Sequence, residues 1–232
     1  MQLKNKFLFI IPAKGVSERI KNKNIKKLYG LPLIEYTLNF LKKNKIDKNI
    51  FLSTECFRIK KISKKYNINI INRPRKLCKK YTSTEDVLLD VLKKINFKKK
   101  GYKWVVTLQP TSPFRKITTL KKCIRYTKNK NIDVISTFKE NKEDLWFKNK
   151  NKINRIFPLW PRNQHQRKSI FEETGSIYIN KISKLIKTKS MIKGSVKAIL
   201  TNDYENLDIN TMDDFNYCDY ILKSKKMSKY QF

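Results

Sequence analysis

Short apolar segments alternate with longer amphipathic segments along this chain, and this alternation restricts the fold more than any other feature of the sequence. Apolar runs of strand length occupy residues 6–12, 49–53, 68–71, 103–109 and 132–138. Runs with the apolar spacing of a helix lie between them, at residues 32–43, 55–66, 83–95 and 117–129. Such a βαβα order predicts an α/β fold with a mainly parallel sheet and helices on both faces, which gives three layers.

Residues 139–170 interrupt this rhythm, because they combine tryptophans and prolines with many polar side chains. We expect this segment to leave the sheet as a lid or a small dimerisation arm. Strands are predicted to return at residues 175–180 and 195–200. Thr211 is then expected to cap a last helix, whose first turn carries acidic side chains that the helix dipole favours.

The length of 232 residues suits a single α/β domain, which we place at residues 1–225, with a flexible tail at 226–232. No apolar run approaches the ~20 residues that a membrane-spanning helix needs, and the first segment lacks the pattern of a signal peptide. We therefore expect a cytoplasmic protein without a membrane partner. The four cysteines are far apart and His165 is the only histidine, which argues against zinc sites, disulfides and mechanisms that need two histidines.

The formal net charge of +35 has two interpretations. A nucleic-acid-binding protein would use such charge to neutralise phosphates. Lysine is, however, mixed with asparagine and isoleucine throughout, as in segments 128–131 and 147–152, and is not gathered into one stripe. We interpret the charge as a lysine-rich surface and predict no specific nucleic-acid partner, since no stacking motif or helix-turn-helix pattern accompanies it. The field should still attract anionic substrates.

Ligands of open parallel sheets bind beyond the carboxyl ends of the strands, so the loops after the predicted strands are candidate binding sites. In the loop at residues 13–24, Gly15 allows close backbone approach, and Ser17 and backbone N–H groups suit phosphate oxygens. Lys14 and Lys23 can neutralise those phosphates. The loop matches neither a P-loop nor a dinucleotide fingerprint, and a plain solvated loop is the alternative interpretation.

Two further loops carry polar side chains after predicted strands. Arg73 is placed to reach a ligand, and hydroxyl groups follow it at a helix N-terminus in segment 82–84. The alternative for these hydroxyls is helix capping, with Ser83 accepting from the residue three positions on. In segment 108–115, two prolines stiffen a polar turn that either contacts a substrate or only connects two elements.

The fourth loop, at residues 207–211, holds Asp208 and Asn210. Alternation places both on one side of a predicted short strand. A carboxylate beside a carboxamide offers the hard oxygen ligands of Mg²⁺, which takes few protein ligands in addition to substrate phosphates. The alternative is a strand end that merely precedes the capped helix.

Seven segments occur in a fixed order: IPAKGVSERIKNKNIKKLYGLPLIEYTL, LSTE, NRP with TSTEDVLLDVL, LQPTSPFR, PRNQ, TGSIYI and LDINTMDDF. Together they resemble the acylneuraminate cytidylyltransferase family, the CMP-sialic acid synthetases. LQPTSPFR is close to the family's LQPTSPLR, which is the most specific of these motifs. The similarity covers about residues 7–222.

The resemblance implies a Rossmann-like (GT-A-like) nucleotidyltransferase fold for the domain at residues 1–225. It implies an enzyme that transfers CMP from CTP to a nonulosonic, sialic-acid-like sugar acid, with Mg²⁺ as cofactor and pyrophosphate as the second product. It also implies a homodimer, in which residues 139–170 would form the arm that reaches the partner subunit.

Site residues carry over from the resemblance at the matching positions. Lys23 matches a lysine that stabilises the transition state at the α-phosphate, and Asp208 matches the first metal-binding aspartate; Asn210 stands at the second metal position. The nucleotide-binding candidates are Ala13, Lys14, Ser17, Asn24, Arg73, Thr82 and Thr84, and the sugar-binding candidates are Gln109, Glu172 and Tyr178. The general base stays open between Asp208 and a metal-bound water.

Several positions depart from the family's pattern. Lys14 replaces an arginine and so keeps the charge without the bidentate fork. Asn210 replaces a common second aspartate, which predicts weaker metal binding or more reliance on phosphates. Glu172, or its neighbour Glu173, lies near a position where sialic acid enzymes often carry an arginine for the sugar carboxylate, and Thr174 replaces an asparagine. The sugar is therefore open: pseudaminic, legionaminic and ketodeoxyoctonate-like acids are alternatives, as is a catalytically weakened nucleotide-binding homologue.

Overall fold

The computed structural model of the protein describes residues 6–224, apart from the side chain of Asp203. The predicted tail at 226–232 lies outside the described residues, and the domain boundary at residue 225 stays a prediction. Within the described part, no helix is long and apolar enough to cross a membrane.

The strands form one large sheet and two small hairpins. In chain order they are β1 (Phe7–Pro12), β2 (Lys27–Leu28), β3 (Leu31–Pro32), β4 (Ile50–Thr54), β5 (Asn69–Asn72), β6 (Trp104–Leu108), β7 (Val134–Asn141), β8 (Trp146–Asn149), β9 (Lys152–Arg155), β10 (Ile170–Lys181) and β11 (Val196–Leu200). The large sheet has the order β11-β7-β10-β6-β1-β4-β5, while β2 pairs with β3 and β8 pairs with β9.

Five of the helices in the described part were predicted from the sequence, whereas α5 (Ile182–Thr188) was not. In chain order the helices are α1 (Leu33–Lys43), α2 (Phe57–Lys64), α3 (Thr84–Lys94), α4 (Ile117–Tyr126), α5 (Ile182–Thr188) and α6 (Met212–Lys223). Both predicted caps are present, since Ser83 Oγ accepts from the Asp86 N–H at 3.1 Å and Thr211 Oγ1 accepts from the Asp214 N–H at 3.2 Å.

Alternating side chains of β1 bury against helices on opposite faces of the sheet. Phe9 and Ile11 pack into one core with α1, α2 and α4, whereas Leu8 and Ile10 pack into another with α3 and α5. The predicted three-layer α/β fold with a mainly parallel sheet is therefore confirmed. Each of these four side chains is almost completely buried, and each such burial contributes about 1.5–3 kcal/mol to folding.

Strand β10 is the antiparallel member of the sheet, since it runs opposite to both β6 and β7. The sequence predicted a strand at 175–180 without its direction. The reason is the long excursion after β7: the chain turns back through the arm and enters the sheet from its carboxyl end, so no helical crossover restores the parallel direction.

A third core packs α6 against the loops at the carboxyl edge of the sheet. It joins Phe215 of α6 to Ile20 of the first loop, Phe114 of the loop after β6, and Ile209. All four side chains are buried. This packing carries the segment before α6 to the first loop, where the polar side chains of both segments meet.

Three predicted boundaries need correction. Segment 207–210 is irregular instead of a short strand, because its one backbone bond to the loop after β6, from Ile209 N–H to Thr111 O at 2.8 Å, starts no ladder. Helix α4 ends at Tyr126, where the Thr127 hydroxyl bonds back to the Ile124 carbonyl. The arm is shorter than residues 139–170, since β7 and β10 extend into it and pair as far as Asn141 opposite Ile170.

Candidate active site

A cavity of about 130 Å³ opens at the carboxyl ends of β1, β5 and β6. It is lined by Pro12, Lys14, Arg73, Leu77, Lys79, Thr82, Ser83, Thr84, Val87 and Gln109. The lining includes four of the predicted nucleotide-binding residues and the predicted sugar-binding Gln109. Ligand pockets usually measure about 300–1,000 Å³, so this cavity encloses only part of a nucleoside triphosphate.

The remaining predicted nucleotide-binding residues, Ala13, Ser17 and Asn24, do not line the cavity. Ala13 is buried and donates its backbone N–H to Ser53 O at 3.0 Å. Asn24 is also buried and donates from its side chain to Lys14 O at 2.8 Å, which fixes the backbone of the first loop. Ser17 lies partly exposed on that loop.

The first loop meets segment 207–211 beside this cavity, although the two are distant in sequence. Lys23 Nζ donates to the Ile209 carbonyl at 2.7 Å across a separation of 186 residues. Arg19 donates to Asn210 Oδ1 at 3.0 Å. The structure therefore brings Lys23, Asp208 and Asn210 to one place.

Lys23 lies in a half-buried position among other cations. Burial lowers its pKa, the nearby Asp208 opposes that effect, and Arg19 and Lys14 lower the pKa further. Three positive groups thus lie close together, near the two carboxylates of Asp208 and Asp214. An anionic ligand at this point would relieve their mutual repulsion, which is the charge pattern expected of a phosphate site.

The Asp208 carboxylate lies close to residues of three segments: its own segment 207–211, the loop after β6, and β10. Its Oδ2 accepts from Asn210 Nδ2 at 2.6 Å, and its Oδ1 accepts from Ser112 Oγ at 3.4 Å. A Cβ placed on Gly175 would lie 3.6 Å from Oδ2. Gly175 has a φ of +69°, a conformation that favours glycine, so the chain approaches the carboxylate there without a side chain.

A bulge in β10 delivers Gly175 to this position. Phe138 and Ser136 are two residues apart on β7, yet they face Glu173 and Tyr178, which are five residues apart on β10. The extra residues leave the ladder, and Thr174 Oγ1 ties them to Thr137 Oγ1 at 2.7 Å. Bulges of this kind re-aim a strand locally, and this one turns the TGSIYI segment towards Asp208.

Arg115 is a site-supporting residue that the sequence reasoning did not select. Its buried guanidinium donates to Ser176 O at 2.8 Å, to Thr37 Oγ1 at 2.9 Å, and to the Gln109 carbonyl. Burial lowers the pKa of Arg115 to about 9, against the opposing charges of Asp208 and Glu205. Its position at the end of the LQPTSPFR motif was the feature of the sequence that could have pointed to this role. Arginine is rarely buried unless it has such partners.

Two neighbouring glutamates of β10 take different positions. Glu172, the predicted sugar contact, is exposed and forms an ion pair with Lys139 at 3.0 Å. Glu173 is also exposed as a residue, but it accepts a long hydrogen bond of 3.4 Å from the hydroxyl of the buried Tyr178. Burial raises the pKa of Tyr178, and partial burial of the carboxylate raises the pKa of Glu173. Glu173 is therefore the carboxylate beside the predicted sugar contact Tyr178.

Gly15 of the first loop is committed to a protein partner. Its backbone N–H donates to Glu55 Oε1 at 2.6 Å, so the expectation that the loop's N–H groups face phosphate does not hold for Gly15. A Cβ at this position would lie 2.6 Å from the Cβ of Cys56, a distance that forces the loop to shift.

Within residues 6–224, no group of three or more His, Cys, Asp or Glu side chains forms a ready-made metal site. Asp208 and the Ser112 hydroxyl beside it supply a few hard oxygen atoms, whereas Asn210 turns its Nδ2 to Asp208 and its Oδ1 to Arg19. Such a set suits Mg²⁺, which completes its shell with water and substrate phosphates, better than it suits a cation that needs a full protein cage.

The sequence model of the family described as "Cytidylyltransferase" matches residues 8–209 of the chain. The chain belongs to the cytidylyltransferase family. The resemblance drawn from the seven motifs is thereby confirmed, and with it the assignment as a nucleotidyltransferase enzyme.

Curated relatives agree with this membership. A CMP-N,N'-diacetyllegionaminic acid synthase of Legionella pneumophila is 28% identical over 90% of this cytidylyltransferase and 93% of the relative. An N-acylneuraminate cytidylyltransferase of Escherichia coli is 25% identical over 98% of this chain but only 54% of its own length. Among solved structures, a CMP:2-keto-3-deoxy-manno-octonic acid synthetase complexed with CTP superposes with a TM-score of 0.67 at 14% identity, covering 95% of this chain and 99% of that one. At this identity the superposition supports the fold alone.

The contact between Gly15 and Cys56 gives a test of the first loop's packing. We expect Gly15→Ala to lower the free energy of unfolding by about 1–3 kcal/mol, because the added methyl group overpacks the end of β4. Urea unfolding followed by circular dichroism measures this change. Cys56→Gly in the same chain removes the opposing Cβ and should restore most of the loss. A Gly15→Ala variant as stable as the parent would contradict the close packing.

Proposed function

We propose that this cytidylyltransferase transfers CMP from CTP to a nonulosonic, sialic-acid-like sugar acid and releases pyrophosphate. The proposal rests on the contact between the basic first loop and segment 207–211, in which Lys23 Nζ lies 2.7 Å from the Ile209 carbonyl. This contact lies beside the cavity that Arg73 and Thr84 line. A legionaminic acid synthase and an N-acylneuraminate cytidylyltransferase among the relatives support a sugar acid as acceptor. Pseudaminic and ketodeoxyoctonate-like acids are the alternatives within this class.

The transfer requires positioning and charge stabilisation more than covalent chemistry by the protein. A hydroxyl oxygen of the sugar acid bonds to the α-phosphorus and gives up its proton to Asp208 or to a water molecule, while the bond from that phosphorus to the bridging oxygen breaks in line and pyrophosphate leaves. Lys14, Arg19 and Lys23 hold the phosphates, and Lys23 offsets the charge that develops in the transition state. The half-buried setting of Lys23 strengthens this interaction, since less water competes for the phosphate.

Asp208 would hold Mg²⁺ in this proposal, and Asn210 would join it once its carboxamide turns its oxygen from Arg19 towards the ion, with phosphate oxygens as further ligands. The ion supplies neutralisation of negative charge on the phosphates when it is bound. Gly175 leaves room at the carboxylate, and Arg115 keeps the surrounding loops in register through its bonds to Gln109 and Ser176.

The nucleotide and the sugar occupy neighbouring parts of the site. Lys14, Arg73, Thr82 and Thr84 bind the nucleotide, because they line the cavity at the carboxyl edge of the sheet. Gln109 lies in the same lining and marks its boundary with the sugar. Tyr178 and Glu173 extend the site beyond it along β10.

Pyrophosphate release with each of the four common nucleoside triphosphates, over a panel of nonulosonic acids, tests the proposed function. We expect release that requires both CTP and a sugar acid, with the acid of highest kcat/KM identifying the substrate. Equal pyrophosphate release from UTP, or pyrophosphate release that is independent of any sugar acid, would contradict the proposal. CTP binding without turnover on any acid would identify the chain as a weakened nucleotide-binding homologue.

The proposed role of Lys23 predicts a large loss of turnover. Lys23→Ala should lower kcat on the order of 10²–10³, by analogy with the loss of one preorganised electrostatic donor. Lys21→Ala is the matched control, because Lys21 is an exposed lysine of the same loop and should leave kcat near its original value. A Lys23→Ala enzyme with nearly unchanged turnover on CTP would remove Lys23 from the mechanism.

The proposed metal role of Asp208 predicts a shift in the metal requirement. Asp208→Ala should raise the Mg²⁺ concentration for half-maximal activity at least tenfold, since the loss of even an outer-shell partner costs roughly 10–100-fold in metal affinity. Asp213→Ala removes an exposed carboxylate from the first turn of α6 and should leave the titration unchanged. Superimposable Mg²⁺ titrations of the Asp208 variant and the parent would rule out Asp208 as a ligand.

The arm between β7 and β10 supports a homodimer. Trp146 is 55% exposed and Leu159 is 97% exposed, although both are large and apolar. Within the arm, Arg155 donates to Asp144 in two bonds of 2.7 Å, so these side chains are presented on an ordered segment. We propose that they pack against a second copy, in a cytoplasmic protein whose free cysteines suit a reducing compartment.

Light scattering in solution tests this arrangement. We expect a mass of about twice the 27.8 kDa of one chain, because the exposed apolar side chains need a partner surface. Changing Trp146 and Leu159 together to serine should shift the population towards monomer, whereas Tyr220→Ser, on an exposed aromatic of α6, should not. A parent protein that is monomeric at micromolar concentration would contradict the arm's role.

A further inference from the structure

The carboxylate of Glu55 ties the first loop to the end of β4. Gly15 donates its N–H to Glu55 Oε1 at 2.6 Å. Hydrogen bonds to an ionised acceptor are about twice as strong as neutral ones, so this contact fixes the backbone next to Lys14. It depends on glycine, since a Cβ at position 15 would lie 3.1 Å from the same oxygen.

The same carboxylate is the leading counter-charge of Arg73. That guanidinium is 5% exposed and donates to Ser53 twice, from Nε to Oγ at 3.2 Å and from Nη2 to the carbonyl at 2.9 Å. Burial lowers the pKa of Arg73, and Glu55 opposes this effect more than any other group does. The Arg73 N–H also donates to Thr54 O at 3.1 Å, so the segment that carries Arg73 is bonded to the residue directly before Glu55.

The surroundings of the second carboxylate oxygen of Glu55, Oε2, indicate why the position of this residue matters. Oε2 is buried and accepts no N–H or O–H hydrogen bond from the residues that the structure describes. The Cys78 thiol, next to the cavity-lining Leu77, interacts with Glu55: burial first, and then this carboxylate through its charge and a side-chain hydrogen bond, raise the pKa of Cys78. A thiol is a weak donor, so a buried charged oxygen without a stronger partner is costly. Its retention beside Gly15, Arg73 and Cys78 indicates that the position of the carboxylate matters to the site.

We propose that Glu55 is a positioning residue for the nucleotide, which sets the separation of Lys14 from Arg73, two of the residues that line the cavity. It does not touch the reacting atoms. The inference rests on the proposed function for the identity of the nucleotide, CTP. Because Glu55 shapes the binding cavity and not the transition state, its loss should weaken CTP binding and raise KM for CTP while kcat changes little.

Three variants separate the two contributions of this carboxylate. Glu55→Gln keeps an oxygen acceptor of the same reach but loses the charge opposite Arg73. Glu55→Asp keeps the charge but withdraws it by one methylene from Gly15. Glu55→Ala removes both. Asp47→Asn is the matched control, because it deletes an exposed carboxylate that precedes β4, whereas Glu55 follows the other end of that strand.

Calorimetric titration with CTP, in the absence of any sugar acid, measures the effect directly. We expect the Kd for CTP to rise about tenfold in Glu55→Asp and Glu55→Ala, consistent with loss of one charged hydrogen bond. Glu55→Gln should lie between these variants and the parent, and Asp47→Asn should match the parent. Thermal unfolding without CTP should differ little between the Gln and Asp variants, which separates positioning from a general loss of fold.

The outcomes distinguish this inference from the proposed function. Parent-like CTP affinity in both Glu55→Asp and Glu55→Gln, which keep a side chain in place, would overturn the positioning role and leave the cytidylyltransferase reaction untouched. A fall in kcat with unchanged KM for CTP would also overturn it, since the residue would then act on the transition state. Failure of the parent protein itself to bind CTP would overturn both.

Discussion

The bond between the Lys23 ammonium and the Ile209 carbonyl is the interaction on which the site depends. At 2.7 Å and across 186 residues of sequence, it joins the loop after the first strand to the segment before the last helix. In the apolar core beneath it, Ile209 packs with Ile20 and Phe215, and this packing holds the two segments together. Packing therefore brings the charged groups together, since their own repulsion would not.

The repulsion among the positive groups of the site is the second constraint on its structure. Arg19 and Lys14 lie near Lys23 and lower its pKa further than burial alone does, while Asp208 and Asp214 oppose them. In the proposed function a phosphate ligand completes this arrangement, because it adds negative charge to that of the two carboxylates. The surplus of lysine over the whole chain carries no comparable information, since most of it lies on exposed surface.

Strand and helix positions could be predicted from local patterns, because burial of one face imposes a period on the sequence. Thr211 and Ser83 cap helices as their spacing to Asp214 and Asp86 indicated. The direction of β10 could not be predicted, because it depends on how the arm returns to the sheet. Arg115 was missed for a related reason: its three partners, on α1, β10 and the loop after β6, become neighbours only in the folded chain.

The sequence by itself determined the α/β alternation, the membership in the cytidylyltransferase family and the loops that carry the site, because these follow from periodicity and ordered motifs. Only the tertiary structure decided which side chains meet. It placed Glu173 instead of Glu172 beside Tyr178, through a bulge that changes the register of β10. It also paired the Gly15 N–H, as hydrogen-bond donor, with the Glu55 carboxylate. Both results depend on distances between segments that are remote in sequence, and no local pattern records such distances.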